Sequence, residues 1–197
     1  MLATALPTDR LFIALDLPDG ARDALSRDAA SLGDTPGLRA VPRANLHVTV
    51  RFVGRIPAVR CTATFATELF DAMNGPVHRI RLGRTVARPS SRRARLVVTE
   101  VLDEDGALAA HAARIDAVVD RFVDDRRTRP FWPHVTVARF RRPTPVRRYP
   151  QQEHEHVFDI DRISLYHSEI TGVSPPIYRP LMTVPLGESR ERNASDG

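Results

Sequence analysis

His47-Val48-Thr49-Val50-Arg51-Phe52 decides how the rest of this chain is read, because it returns as His134-Val135-Thr136-Val137-Ala138-Arg139-Phe140. Side chains alternate across a strand, so residues i and i+2 share a face. Each copy puts one imidazole and one hydroxyl on one face and two valines on the other. The valine face suits a hydrophobic core, and the His/Thr face suits a site. Two such faces opposed across a cleft supply two acid/base groups and two hydroxyl donors. In-line displacement at phosphorus needs that set.

Outward from the two strands, the flanking pattern also repeats. Leu11 to Leu17 reads as a buried strand. Asp19 is placed to cap a helix over about 20–32, and Gly33 to Pro42 reads as a loop. A helix over about 58–73 follows the first motif, with Phe65, Leu69 and Phe70 on its apolar face. Asn74-Gly75-Pro76 stops it, and Val77 to Val86 alternates as a strand. The pattern then restarts. Arg95 to Val101 is a strand, and a helix over about 107–123 carries Leu108, Ile115, Val118, Val119 and Phe122. Strand, helix and His-strand thus occur twice at nearly equal spacing, which reads as an internal duplication. Arg141 to Arg148 is too proline-broken for a helix. Val157 to Ile170 reads as one or two strands, and Tyr178 to Pro185 as the last. The expected organisation is a single domain over residues 1–187 and a disordered tail over 188–197.

Composition narrows the chemistry. At 197 residues the chain suffices for one sizeable domain or two small lobes. A formal net charge of +5 favours a polyanionic partner. All 29 basic residues are arginine. With no lysine, there is no Walker-type phosphate lysine, no lysyl-adenylate and no Schiff base, so ligation through an adenylated lysine of this chain is excluded. Cys61 is the only cysteine, which excludes an internal disulfide and a cysteine zinc site. No stretch approaches a membrane span and no basic leader opens the chain, so a cytoplasmic protein is expected.

A histidine titrates near neutrality at about 6.5, so two of them can divide the work of acid and base. One deprotonates the attacking water, and the other protonates the leaving oxygen. Threonine hydroxyls two residues on can donate to non-bridging phosphate oxygens. The scheme calls for no metal and no cofactor. The two motifs are near-identical, so they do not order the two roles.

On these residues the chain resembles the bacterial and archaeal RNA 2′,3′-cyclic phosphodiesterases, long called 2′-5′ RNA ligases, of the two-histidine phosphoesterase superfamily. The resemblance extends to Arg10-Leu11-Phe12-Ile13-Ala14-Leu15, Asn45-Leu46-His47, Arg51-Phe52-Val53-Gly54 and Pro133-His134. It continues through Leu165-Tyr166-His167-Ser168-Glu169 and Tyr178-Arg179-Pro180-Leu181. Valine at the fourth motif position, where leucine is commoner, faces the core. The resemblance implies an α+β fold with two pseudo-symmetric lobes, each an antiparallel sheet with outer helices, and a cleft between them. It implies hydrolysis of a terminal 2′,3′-cyclic phosphate of RNA or oligonucleotide ends to a 2′-phosphomonoester by a monomer. It also implies His47 as proton donor, His134 as proton acceptor, and Thr49 and Thr136 as phosphate contacts. Two alternatives stand beside it: reversible 2′-5′ RNA ligation, and RNA-end binding without turnover.

Further substrate contacts are assigned by alternation. Arg51, four residues from His47, falls on the His face, at the cleft rim or as a solvated charge. Arg139, five from His134, falls on the opposite face unless the strand bends or ends. Trp132 and Phe52 are candidates for stacking on a base or for core packing. Glu153-His154-Glu155-His156 lacks further ligands for a metal, and a solvated loop is the default. His78, His111 and His167 read as isolated structural or exposed residues. The paired arginines at 92–93, 126–127, 141–142 and 147–148 read as solvated, with those near the motif strands able to guide an RNA end.

Overall fold

The computed structural model describes residues 10–187 apart from 34, 125, 147–156, 171, 173 and 174. The Glu153 to His156 run, Arg147-Arg148 and the tail over 188–197 lie outside the described residues. In the first half, β1 (Leu11–Asp16), α1 (Asp19–Ser31), β2 (Leu38–Ala40), β3 (His47–Gly54), α2 (Ala63–Met73) and β4 (His78–Arg88) follow one another. The second half runs through β5 (Ala94–Leu102), α3 (Ala107–Phe122), β6 (His134–Thr144), β7 (Val157–Ile160), β8 (Arg162–Glu169) and β9 (Ile177–Pro185).

All pairings are antiparallel, in the order β7-β4-β5-β6-β3-β1-β8-β9, with β2 added on β6. The two motif strands lie side by side at the centre and share one paired position, Val48 with Val135. Around that position β1-α1-β3 and β5-α3-β6 are arranged alike. Each helix crosses over: α1 packs on β6 and α3 on β3. The motif valines Val48, Val50, Val135 and Val137 are buried in the core beneath them.

Helix positions follow apolar spacing. Ala21, Ala24, Leu25 and Ala29 are the buried stripe of α1, and Phe65, Leu69, Ala72 and Met73 that of α2. The Thr62 hydroxyl accepts from the Phe65 amide and starts α2. That helix therefore begins later than expected, after a separate 3-10 turn over Ala58–Arg60. Asp19 is not a cap. Pro18 holds the cap position without a side-chain bond, and the Asp19 carboxylate pairs with Arg43 at 2.9 Å. The start of α3 uses Asp103 instead, whose carboxylate accepts from the amides of Leu108 and Ala109. Gly106 makes the entry turn at φ 71, a conformation in which glycine pays no Cβ penalty.

Two strand boundaries also differ from expectation. Leu38–Ala40 falls in the expected loop but forms β2, because β6 parts from β3 beyond Val135 and leaves its backbone edge to be satisfied. Arg141 to Thr144 continues β6, with Thr144 paired to Ala94, so Pro143 sits near the strand's end, where prolines are tolerated.

His78 and His111 are not isolated. They form a buried pair between β4 and α3, Nε2 of His78 to Nδ1 of His111 at 2.8 Å. Nε2 of His111 faces the Met73 carbonyl at 3.0 Å, so it carries the proton and donates. Nδ1 of His111 is then the acceptor, and His78 donates to it. Burial, aided by the Arg114 charge, pushes His111 down to about 4, and burial lowers His78 as well. The unfolded chain takes up its protons near the ordinary value of about 6.5, before the folded one does. Stability therefore falls as pH drops through that window, by about 3 kcal/mol for His111 between pH 7 and pH 4. Urea midpoints at the two pH values measure this. His111→Gln, which does not titrate, should flatten the fall, and an unchanged fall would remove the pair as its cause.

Candidate active site

His47 is the first residue of β3 and His134 the first of β6. In each, Nδ1 lies 2.8 Å from the backbone carbonyl two residues upstream, that of Asn45 or Trp132. Carbonyls only accept, so both rings hold their proton on Nδ1, and Nε2 is left as the lone-pair nitrogen. The Nε2 of His47 meets the Thr49 hydroxyl at 3.0 Å, and the hydroxyl donates. His47, Thr49, His134, Thr136 and Arg139 line one cavity of about 240 Å³, together with Phe12, Asn45, Phe52, Leu96, Ser168 and Tyr178. Continuing the antiparallel register one residue either side of Val48 and Val135 sets each motif's histidine across from the other's threonine.

Alternation does not survive past the fourth motif position. Ile13 pairs with Arg51 and Ala14 with Thr49, so Val50 is an extra residue, a β-bulge. On β6, Val97 pairs with Ala138 and Val98 with Thr136, so Val137 is the equivalent bulge. Each bulge makes two consecutive residues face inward and reverses the faces beyond it. Arg51 therefore leaves the His face, contrary to expectation. It is 2% exposed, with Asp120 at 2.7 Å and Asp116 at 3.4 Å on α3. Asp116 also takes Arg127 at 3.2 Å. The same shift brings Arg139 into the cavity and turns Phe52 outward, 73% exposed.

The two imidazoles differ in surroundings. The His47 ring is packed by Phe12, with centroids 5.0 Å apart, and by the edge of Tyr178 at 5.4 Å. Burial, partly offset by the Asn45 carbonyl, lowers His47 to about 4, and the Arg139 charge adds to this. His134 stacks on Trp132 at 4.4 Å, and the Arg88 guanidinium lies 4.6 Å from the same indole. Burial lowers His134 as well, again offset by a carbonyl bond. Trp132 is thus a support for a motif histidine and remains partly exposed. Sequence reasoning missed the packing role of Phe12 and Tyr178. The only signal was their place in the flanking segments quoted above, which assigns no role. The carbonyls of Asn45 and Trp132 had no signal, since a backbone acceptor is independent of side-chain identity.

Among the described residues no group of three or more His, Cys, Asp or Glu could hold a metal ion. No described helix is long and apolar enough to cross a membrane.

The family model of the 2'-5' RNA ligase superfamily matches residues 19–170. An RNA 2',3'-cyclic phosphodiesterase of Archaeoglobus fulgidus is 28% identical over 177 residues, 87% of this chain and 97% of the relative. One of Thermus thermophilus is 27% identical, covering 95% and 96%. Among solved structures, TT0787 of Thermus thermophilus aligns at 26% identity over 89% of this chain and 97% of its own, with a TM-score of 0.75. E. coli LigT complexed with 3'-AMP shares the fold at a TM-score of 0.77, with 23% identity, 92% of this chain and 100% of its own covered.

Proposed function

The chain belongs to the 2'-5' RNA ligase superfamily, and on that premise we propose that it hydrolyses the 2′,3′-cyclic phosphate at an RNA end to a 2′-phosphomonoester. One observation carries the proposal. Two imidazoles, each with Nδ1–H held by a carbonyl and Nε2 left with its lone pair, line a single cavity with the two motif threonine hydroxyls and one guanidinium.

In the proposed reaction, His134 takes a proton from water as the water oxygen attacks phosphorus. The bond from phosphorus to the 3′-oxygen breaks, and protonated His47 delivers a proton to that oxygen. Thr49 and Thr136 donate to the non-bridging oxygens, and Arg139 offsets their charge. Once His47 is protonated it no longer accepts from Thr49, which frees that hydroxyl for the phosphate. We assign the functional unit to a single bilobal domain built from a duplicated unit, acting as a monomer.

Both free imidazoles are neutral near pH 7, because burial lowers them. The donor therefore acquires its proton together with the anionic phosphate, whose charge raises the imidazole pKa. Free-enzyme titration governs kcat/KM, and both free rings titrate below the ordinary value of about 6.5, so kcat/KM should already be falling with rising pH at neutrality. The optimum of kcat should lie at higher pH, because bound phosphate favours the charged ring. The test is hydrolysis of an RNA oligomer ending in a 2′,3′-cyclic phosphate with EDTA present, followed from pH 5 to 9, with the product read by ³¹P NMR. A 2′-phosphate and this pH order support the proposal. A folded protein without turnover, or a kcat/KM that climbs steadily to pH 9, would sink it.

A further inference from the structure

The catalytic cavity, at about 240 Å³, lies below the range of about 300–1,000 Å³ typical of small-molecule sites. It suits a cyclic phosphate on its ribose, so any further substrate must leave it. Two neighbouring spaces share residues with it. One, about 200 Å³, lies behind His47 and is lined by Arg22, Tyr166 and Tyr178. Its arginine is already engaged, donating to the carbonyls of Leu17, Arg43 and Ala44. Tyr166 is likewise engaged, donating to Asp16.

The second is a groove of about 550 Å³ between β3 and the segment 126–132, which shares Thr49, Phe52 and His134 with the catalytic cavity. Four arginines line it, and they divide into two kinds. Arg51 and Arg127 are bound to the carboxylates of α3. Arg126 and Arg129 are exposed, and neither enters an ion pair among the described residues. Three aromatic rings line the same space: Phe131 lies against Arg127, Trp132 at 38% exposure stacks on His134 and holds Arg88, and Phe52 at 73% exposure offers the open ring face. Uncommitted cations interleaved with exposed rings are the chemistry that holds single-stranded nucleic acid, phosphate on arginine and base on ring.

Resting on the reading of an RNA end in the cleft, we infer that this groove is the subsite for the nucleotides preceding the terminal one. The substrate class is then a single-stranded oligoribonucleotide with a 2′,3′-cyclic phosphate end, rather than a free cyclic mononucleotide. A cyclic mononucleotide carries no second phosphate and offers nothing to Arg126 and Arg129. An oligomer supplies one phosphodiester per upstream residue.

The experiment compares kcat/KM for a trinucleotide ending in 2′,3′-cyclic phosphate with that for a cyclic mononucleotide. Wild type should favour the trinucleotide by about tenfold or more, and more strongly at low salt. The double variant Arg126→Gln/Arg129→Gln should lose most of that ratio and of its salt dependence. Phe52→Leu should lower the ratio independently. A wild-type ratio near one, or a ratio kept by the double variant, would overturn the inference while leaving the hydrolytic reading in place. No turnover of either substrate by wild type would overturn both.

Discussion

His134→Ala and His47→Ala should each lower kcat/KM for a cyclic phosphodiester by about 10²- to 10⁴-fold, the typical contribution of one positioned acid or base. The geometry gives each ring a single free nitrogen, because the other is committed to a carbonyl at 2.8 Å. No other imidazole in the cavity can substitute, since the remaining lining groups are hydroxyls, an amide, a guanidinium and hydrocarbon. The double variant should be little worse than the poorer single one, as expected of residues acting as a unit. A substrate with 4-nitrophenolate as leaving group separates the roles. That oxygen departs without a proton, so the deficit of the donor variant should shrink and that of the acceptor variant should not. On the assigned order the deficit shrinks for His47→Ala. Shrinkage for His134→Ala would reverse the roles. A loss under tenfold in both single variants would remove the histidines from the chemistry.

Arg51→Met should destabilise the fold by about 3 kcal/mol, while the folded fraction keeps its turnover of a cyclic mononucleotide within about threefold. Removing one partner of a buried ion pair leaves the other's charge uncompensated. Here Asp120 loses its Arg51 partner, while Asp116, four residues before it on α3, keeps Arg127, and both carboxylates are partly exposed. Their residual contact with water sets the expected cost at the lower end of the usual range of about 3–5 kcal/mol. For a chain of this length that corresponds to a Tm lower by about 6–12 °C. Arg51→Lys should recover part of the loss, since a point charge reaches one carboxylate but not both. Denaturant midpoints and mononucleotide kinetics on the same samples decide between positions. A variant with unaltered stability and lost activity would place Arg51 on the substrate after all.

The two predictions meet on β3, where His47 and Arg51 are four residues apart, and they divide by what local pattern can carry. The alternation His, Val, Thr, Val is a property of extended backbone, so it is legible wherever the chain stays regular. It places His47 and Thr49 on one face, and likewise His134 and Thr136. The helices over 107–122 and 19–31 are legible from apolar spacing, to within a residue or two. The caps are less so, because Asp19 and Asp103 are equally good acceptors on paper. Their neighbours decide: Arg43 claims one and the amides of α3 the other.

The repeated strand-helix-strand order, the chemistry excluded by the absence of lysine, and the pairing of imidazole with hydroxyl can all be read from the order of residues. The remainder depends on how distant segments meet. The bulges at Val50 and Val137 exist because β1 and β5 pair with their neighbours in a shifted register, and no residue within the motif announces that shift. One extra residue reverses every face beyond it. It sends Arg51 into the core and brings Arg139 to the cavity. The ion pairs of Arg51 and the union of His78 with His111 join residues far apart in the chain, whose meeting depends on how the helices cross the sheet. Periodicity is local and survives in the sequence; register and crossing are collective, and appear only when all the strands are in place.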